Sequence, residues 1–96
     1  MARFKVSAKA NDDLRDIGLY TQNKFGTQQR NKYLDNIVEK FQILANRPEL
    51  GMKRNHLRVD YCSNLVQKHI IFYKKYKYGI RIIRVLQQNM DFNKHL

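Results

Sequence analysis

The stretch His69–Asp91, HIIFYKKYKYGIRIIRVLQQNMD, constrains the fold most. It holds two segments rich in β-branched and aromatic residues, His69–Lys74 and Ile80–Leu86. Such residues fit a pleated, half-buried surface. Between them lies the basic run Lys75-Tyr76-Lys77-Tyr78-Gly79, where Gly79 can take the positive φ that a hairpin loop often needs. Side chains alternate along a strand, so Ile70 and Phe72 share one face, and His69, Ile71 and Tyr73 the other. On the second strand the same rule groups Ile80, Ile82, Arg84 and Leu86 against Arg81, Ile83 and Val85. Each face is part apolar and part cationic. One is expected to meet helices, and the other to form a basic surface that a partner or the tail covers.

The rest of the chain supplies those helices. Arg3 to Val6 alternates as a short strand, and Ser7 can cap a helix that begins near Ala8. Ala10, Leu14, Ile17, Thr21 and Phe25 follow helical spacing. Asp12, Asp13 and Asp16 fall in the first turns, where the helix dipole favours negative charge, and read as a solvated face. Gly26 breaks this helix and Thr27 can cap the next. The second helix, Thr27 to about Asn46, carries Tyr33, Leu34, Ile37, Val38, Phe41, Leu44 and Ala45, and Pro48 ends it. An antiparallel helical hairpin packed on a sheet follows. Pro48 to Gly51 reads as a loop with Gly51 left-handed, a strand is expected within Val59–Val66, and Gln87 to Leu96 is a tail anchored by Met90 and Phe92.

At 96 residues this predicts a single domain, 1–96. Its charge is uneven. Residues 1–50 carry nine cations and six anions, and residues 51–96 carry ten and two, so most of the net +11 sits on the strand half. That favours an anionic partner: nucleic acid, an acidic protein or a membrane surface. The lone Cys62 excludes an internal disulfide and a zinc site of several thiolates, and reads as a small strand residue. No apolar run approaches a transmembrane length, and the opening residues lack an apolar signal core, so a cytoplasmic location is expected. No cofactor or metal is expected.

Arg58, His69, Tyr73 and Arg81 invite an active-site reading, since His and Tyr move protons and cations stabilise a phosphorane-like transition state. Spacing alone defines no nucleophile, base and orienter, and a basic binding face explains the same residues. Lys74-Lys75-Tyr76-Lys77-Tyr78 suits phosphate contact with stacking, or is an ordinary solvated hairpin tip. Arg84 shares parity with apolar residues and needs carbonyls or a carboxylate; Asp91 is one candidate.

The ordered signals resemble those of the ParE toxins in the RelE/ParE superfamily of bacterial type II toxin–antitoxin systems. The matching residues are Ser7-x-x-Ala10-x-x-Asp13-Leu14-x-x-Ile17-x-x-Tyr20, Phe25-Gly26-x-x-Gln29, Tyr33, and Phe41-x-x-Leu44-Ala45-x-x-Pro48-x-x-Gly51. They continue with Leu57-Arg58, His69-Ile70-Ile71-Phe72-Tyr73, and Ile82-x-Arg84-Val85-Leu86-x-x-x-Met90-Asp91-x-x-x-His95-Leu96. The resemblance implies an α+β fold of order β-α-α-β-β-β, a helical hairpin on a small antiparallel sheet. It implies a toxin that binds DNA gyrase, stabilises its cleaved-DNA state and blocks replication. RelE-like relatives are ribosome-dependent mRNA endoribonucleases, which is the alternative activity. Gln87 stands where many relatives have histidine, and Cys62 where many have arginine.

The target-binding surface is then expected at Arg58, His69, Tyr73, Arg81, Arg84, Met90, Asp91, His95 and Leu96, with His69, Tyr73 and Arg81 catalytic only in a ribonuclease. A cognate ParD-like antitoxin with an acidic segment is implied, and through it possible contact with operator DNA. Its expected contacts are Leu14, Ile17, Tyr20, Tyr33, Ile37 and Phe41, with Lys74 and Lys75.

Overall fold

Ser7 turns the first strand into the first helix. Its hydroxyl accepts from the Ala10 amide at 3.0 Å and donates to the Ile83 carbonyl at 2.8 Å, so the cap is also tied to the sheet. A computed structural model describes residues 2–96. Strand β1 (Arg3–Val6) leads into α1 (Ala8–Phe25) and α2 (Thr27–Asn46), and a 3₁₀ turn follows at Pro48–Leu50. Then come β2 (Met52–Lys53), β3 (Tyr61–Val66), β4 (His69–Tyr76), β5 (Gly79–Gln87) and a short α3 (Phe92–His95). The five strands form one sheet in the order β1-β5-β4-β3-β2. The expected α+β order of elements is present. The sheet is antiparallel from β2 through β5, and β1 adds to β5 in parallel, making it mixed.

The helical hairpin packs on one face of this sheet. Ile37, Phe41, Leu44, Ile71, Tyr73, Ile80 and Ile82 are wholly buried there, with Val85 and Ala10. On the opposite face Ile70, Phe72 and Leu86 are covered by Leu57, Met90, Phe92 and Leu96. The parity of β4 therefore follows the sequence. That of β5 does not. Tyr73 pairs with Ile82 and Phe72 with Arg84, so Ile83 is an extra residue in a β-bulge. Strict alternation puts Leu86 with Ile80 and Ile82. The bulge instead sends Val85 to the helix side and Leu86 to the tail side.

Local chemistry corrects other expectations. Gly26 itself, at φ 94°, holds the N-cap position of α2, and no side chain caps that helix, so Thr27 is its first residue. Gly51 is extended at φ −80°, not left-handed. It is glycine because a Cβ would overlap the Tyr73 hydroxyl. The tight turn between β4 and β5 is Lys77-Tyr78 alone, since Tyr76 already pairs with Gly79. The residues after Gly51 form the two-residue β2, which pairs with Ser63 and Cys62 of β3.

Gly79, at φ 145°, lies where β1 crosses the hairpin tip, and any Cβ there would run into the Arg3 backbone. The Arg3 amide donates to the Tyr78 carbonyl at 2.9 Å across the same contact. Gly79→Ala should therefore cost at least about 2 kcal/mol, from a rare backbone region plus the clash. Urea unfolding measures it; hydrogen exchange should show β1 loosening first. An unchanged midpoint would contradict the close approach.

Candidate functional site

β5 outruns its neighbour. β1 pairs with it only from Gly79 to Ile82, so the edge of β5 beyond the bulge lacks a partner strand. Asp13 of α1 fills that gap. Its Oδ2 accepts from the Val85 amide at 2.9 Å and from Arg84 Nε at 2.8 Å, and its Oδ1 accepts from Arg84 Nη2 at 2.8 Å. Arg84 Nη1 donates to the His95 carbonyl at 2.7 Å. Only 16% of the Arg84 side chain and 12% of that of Asp13 are exposed, so this bidentate pair works largely out of water. The hydrogen bond to Asp13 raises the Arg84 pKa further against the pull of burial. Arg84 thus takes Asp13 as its carboxylate, not Asp91. Asp13 is a sequestered group, unlike the solvated face expected of it. Asp91 instead caps α3, accepting from the Asn93 amide at 3.1 Å.

The ion pair sits in the wall of a groove of about 1090 Å³ between the Gly26 end of the helical hairpin, the β3–β4 turn and the tail. Ile17, Tyr20, Phe25, Tyr33, His69 and Met90 supply much of its apolar lining. Tyr20 is 57% and Phe25 63% exposed, large for aromatic side chains. At the groove floor the Tyr33 hydroxyl lies 2.6 Å from His69 Nδ1, with the rings edge to face. Burial lowers the His69 pKa against the opposing charge of Asp13, and burial raises that of Tyr33. The phenol and a neutral imidazole therefore share one hydrogen bond.

Tyr73 is wholly buried on the helix side, and its hydroxyl donates to the Pro48 carbonyl at 2.7 Å. Burial pushes its pKa up to about 12. Arg81 is exposed on the other side of the sheet, in register with Lys74 and Lys5. The tail forms a strap over that other side. Phe92 meets Phe72 edge to face at 4.9 Å, and Arg58 donates to the carbonyls of Leu57 and Leu96.

The family model described as ParE toxin of type II toxin–antitoxin system, parDE, matches residues 4–92. This chain belongs to that ParE toxin family. It is 32% identical to Toxin ParE1 of Caulobacter vibrioides, over all of this chain and 99% of that one. It is 28% identical to Toxin ParE1 of Mycobacterium tuberculosis, over 99% and 98% of the two chains. A chain in a solved structure of the chromosomal ParDE TA system from P. aeruginosa shares the fold with a TM-score of 0.77 at 20% identity, covering 91% of this chain and 96% of that one. A chain of the YoeB-YefM complex from Staphylococcus aureus superposes with a TM-score of 0.60 at 20% identity, covering 92% and 98%.

Within this ParE-family toxin the expected target-binding residues divide. Arg58, Arg84, Met90, Asp91, His95 and Leu96 gather at the strap. His69 and Tyr73 face the helices, and Arg81 stands apart, so these three form no common site. Of the residues expected to meet an antitoxin, Ile17, Tyr20 and Tyr33 line the groove. Leu14 packs half-buried against the core. Ile37 and Phe41 are wholly inside and unavailable to any partner, because helical spacing marks an apolar face without showing which part of it the sheet already covers. Lys74 and Lys75 lie near the hairpin tip, outside the groove lining. Sequence reasoning did not place Phe25, Lys24 and Gln29 on this surface. Phe25 carried the helical spacing signal, but nothing in the spacing shows that its stripe outruns the sheet.

The neutral His69 gives a pH signature. Its folded pKa lies below the unfolded value of about 6.5, so the unfolded chain binds more protons as pH falls through that value. The stability that this neutral ring contributes is complete above about pH 6.5 and is lost on acidification toward the folded pKa. Melting temperatures from pH 7.5 to 5 should fall more steeply for the native chain than for His69→Gln. Parallel profiles would contradict the assignment.

Proposed function

We propose that this ParE-family toxin acts by binding DNA gyrase, holding it in its cleaved-DNA state and so blocking replication, and that a cognate antitoxin neutralises it in the cytoplasm. The observation that carries the choice of binding over catalysis is the position of Tyr73. Its hydroxyl is buried, bound to the Pro48 carbonyl and held near a pKa of 12, out of reach of any RNA phosphate. His69 is engaged by Tyr33, and Arg81 lies across the sheet from both. A ribonuclease needs its proton-moving groups and phosphate cations converging within hydrogen-bond reach of one site. These do not converge.

The strap supplies the surface for the target. Met90 and Leu96 pack on the outer face, Arg58 is tied to the Leu96 carbonyl, Asp91 is exposed at the start of α3, and Met90 and His95 also border the groove. The groove suits the antitoxin. Its exposed Tyr20 and Phe25 fit an amphipathic segment that folds on contact, and the net charge of +11 favours an acidic one and speeds its approach. Both named structural relatives come from toxin–antitoxin systems, which supports an antitoxin as partner. Any contact with operator DNA would run through that antitoxin.

The test pairs purified gyrase with the native chain and with Tyr73→Phe. The native toxin should inhibit supercoiling and accumulate cleaved DNA. Tyr73→Phe should lose about 1 kcal/mol of stability with one hydrogen bond, yet inhibit equally while folded. Unhindered supercoiling, with discrete cuts in ribosome-bound mRNA that vanish in Tyr73→Phe, would overturn the reading in favour of the endoribonuclease.

A further inference from the structure

The outer face of the sheet is only half covered. The strap occupies the end around Ile70, Phe72 and Leu86, and the end toward the β4–β5 turn is open. Across that open end the register sets Lys74 of β4 directly opposite Arg81 of β5, and Arg81 directly opposite Lys5 of β1. Tyr61 of β3 extends the same row beyond Lys74. Neighbouring strands lie about 4.8 Å apart, so three cations stand side by side in a row about 10 Å long. Like charges directly opposite on one sheet face destabilise the pairing. Among the described residues none of the three has a carboxylate in an ion pair; the carboxylates that do form pairs are taken by Arg15, Arg47 and Arg84.

Aromatic rings adjoin the row. Tyr76 and Tyr78 stack with centroids 5.5 Å apart and planes 10° from parallel, and Lys5 Nζ lies 4.6 Å over the Tyr78 ring. Tyr76 is 44% exposed. Arg3 belongs to the same face, two residues along β1 from Lys5. Around the tip the cationic surface continues into a hollow of about 560 Å³ that Arg3, Lys75 and Lys77 help to line. The chain thus places six cations and two stacked tyrosines on one end of the molecule.

We infer that this open end of the outer sheet face, with Lys5, Arg81 and Lys74 as its cationic row and Tyr76 as its stacking platform, is a binding surface for single-stranded DNA. The row tracks phosphates and the exposed ring takes a base on its π-face, the two requirements for holding an unpaired strand. An acidic peptide would use the cations alone and leave the tyrosine pair without a role. The choice of DNA over RNA rests on the gyrase reading, in which the toxin meets an enzyme holding cleaved DNA. The binding itself does not rest on it. The surface lies apart from the groove proposed for the antitoxin, with which it shares no lining residue.

The experiment is fluorescence anisotropy of the 96-residue chain with a labelled oligothymidylate, titrated from 50 to 300 mM salt. Comparison arms are a duplex of equal length, oligouridylate and polyglutamate. The oligothymidylate should bind more tightly than all three. The variant Lys5→Gln/Lys74→Gln/Arg81→Gln should lose at least about tenfold in affinity. It should also flatten the log–log salt slope by about 2, at roughly 0.7 per lost phosphate contact on a single strand. Tyr76→Ala should weaken binding by about fivefold or more with the salt slope unchanged. Lys9→Gln/Arg15→Gln/Lys32→Gln removes equal charge from exposed positions of α1 and α2 and should leave affinity within about twofold. All substituted residues but the half-exposed Lys74 are fully on the surface, and matching melting temperatures establish that the variants fold.

Equal losses from the two triple variants would overturn the inference in favour of net charge alone. Binding that ignores Tyr76→Ala, or polyglutamate binding as tightly as DNA, would overturn the stacking platform. Tighter binding of oligouridylate would overturn the choice of DNA. The assay contains no topoisomerase, so none of these outcomes decides the gyrase reading, and failure of that reading leaves the surface standing if the oligonucleotide binds.

Discussion

The bidentate pair between Asp13 and Arg84 joins three parts of the molecule at one point. Asp13 belongs to α1, Arg84 to β5, and the remaining Arg84 nitrogen holds the carbonyl of His95 in the tail. The pair also closes an edge. Where β1 ends, β5 would present an open amide at Val85, and the Asp13 carboxylate takes it in place of a strand. Removing two charges from water costs several kcal/mol, and such a pair is favourable only when its remaining donors and acceptors are satisfied. Here both carboxylate oxygens and three guanidinium nitrogens are used. The helices, the bulged strand and the strap therefore meet at one contact, and the groove on one side and the strap on the other share it as a common wall.

The bulge at Ile83 decides what each face of the sheet is for. One extra residue returns Val85 to the helix-side core and releases Leu86 to the strap side. Ser7 holds the bulge in place through the Ile83 carbonyl, so the β1–α1 junction and the irregularity in β5 are a single device. Before the bulge, β5 alternates without interruption, and Arg81 keeps its register with Lys5 and Lys74. The same strand thus gives an apolar seat for the tail at one end and a cationic row at the other. Lys5 joins that row through the parallel pairing of β1, which sets it opposite Arg81.

Signals local in the chain were legible in the sequence. Ser7 as a cap, Gly26 as the break between helices, Pro48 as the end of α2 and the alternation of β4 are all set by residues within a few positions of one another. Distant pairings were not. Asp13 and Arg84 are 71 positions apart, and each has nearer, plausible alternatives: solvent for one and Asp91 for the other. The bulge carries no glycine or proline to mark it, and β2 is only two residues long. For the sites, composition placed the excess charge on the strand half. The division of His69 and Tyr73 from Arg81 depended on register, and the exposure of Phe25 on how far α1 overhangs the sheet. The resemblance to ParE toxins supplied what local signals lacked, the overall arrangement into which they fit.

The central role of the ion pair is tested most directly by a double-mutant cycle on stability with Asp13→Ala, Arg84→Ala and the double variant in urea. Either single change strands a largely buried partner, so each should be costly, and the double variant should be little worse than the worse single, giving a coupling energy of about 2 kcal/mol or more. Free energies that add within about 0.5 kcal/mol would contradict the account, since the helix, the strand edge and the strap would then be held in place independently of one another.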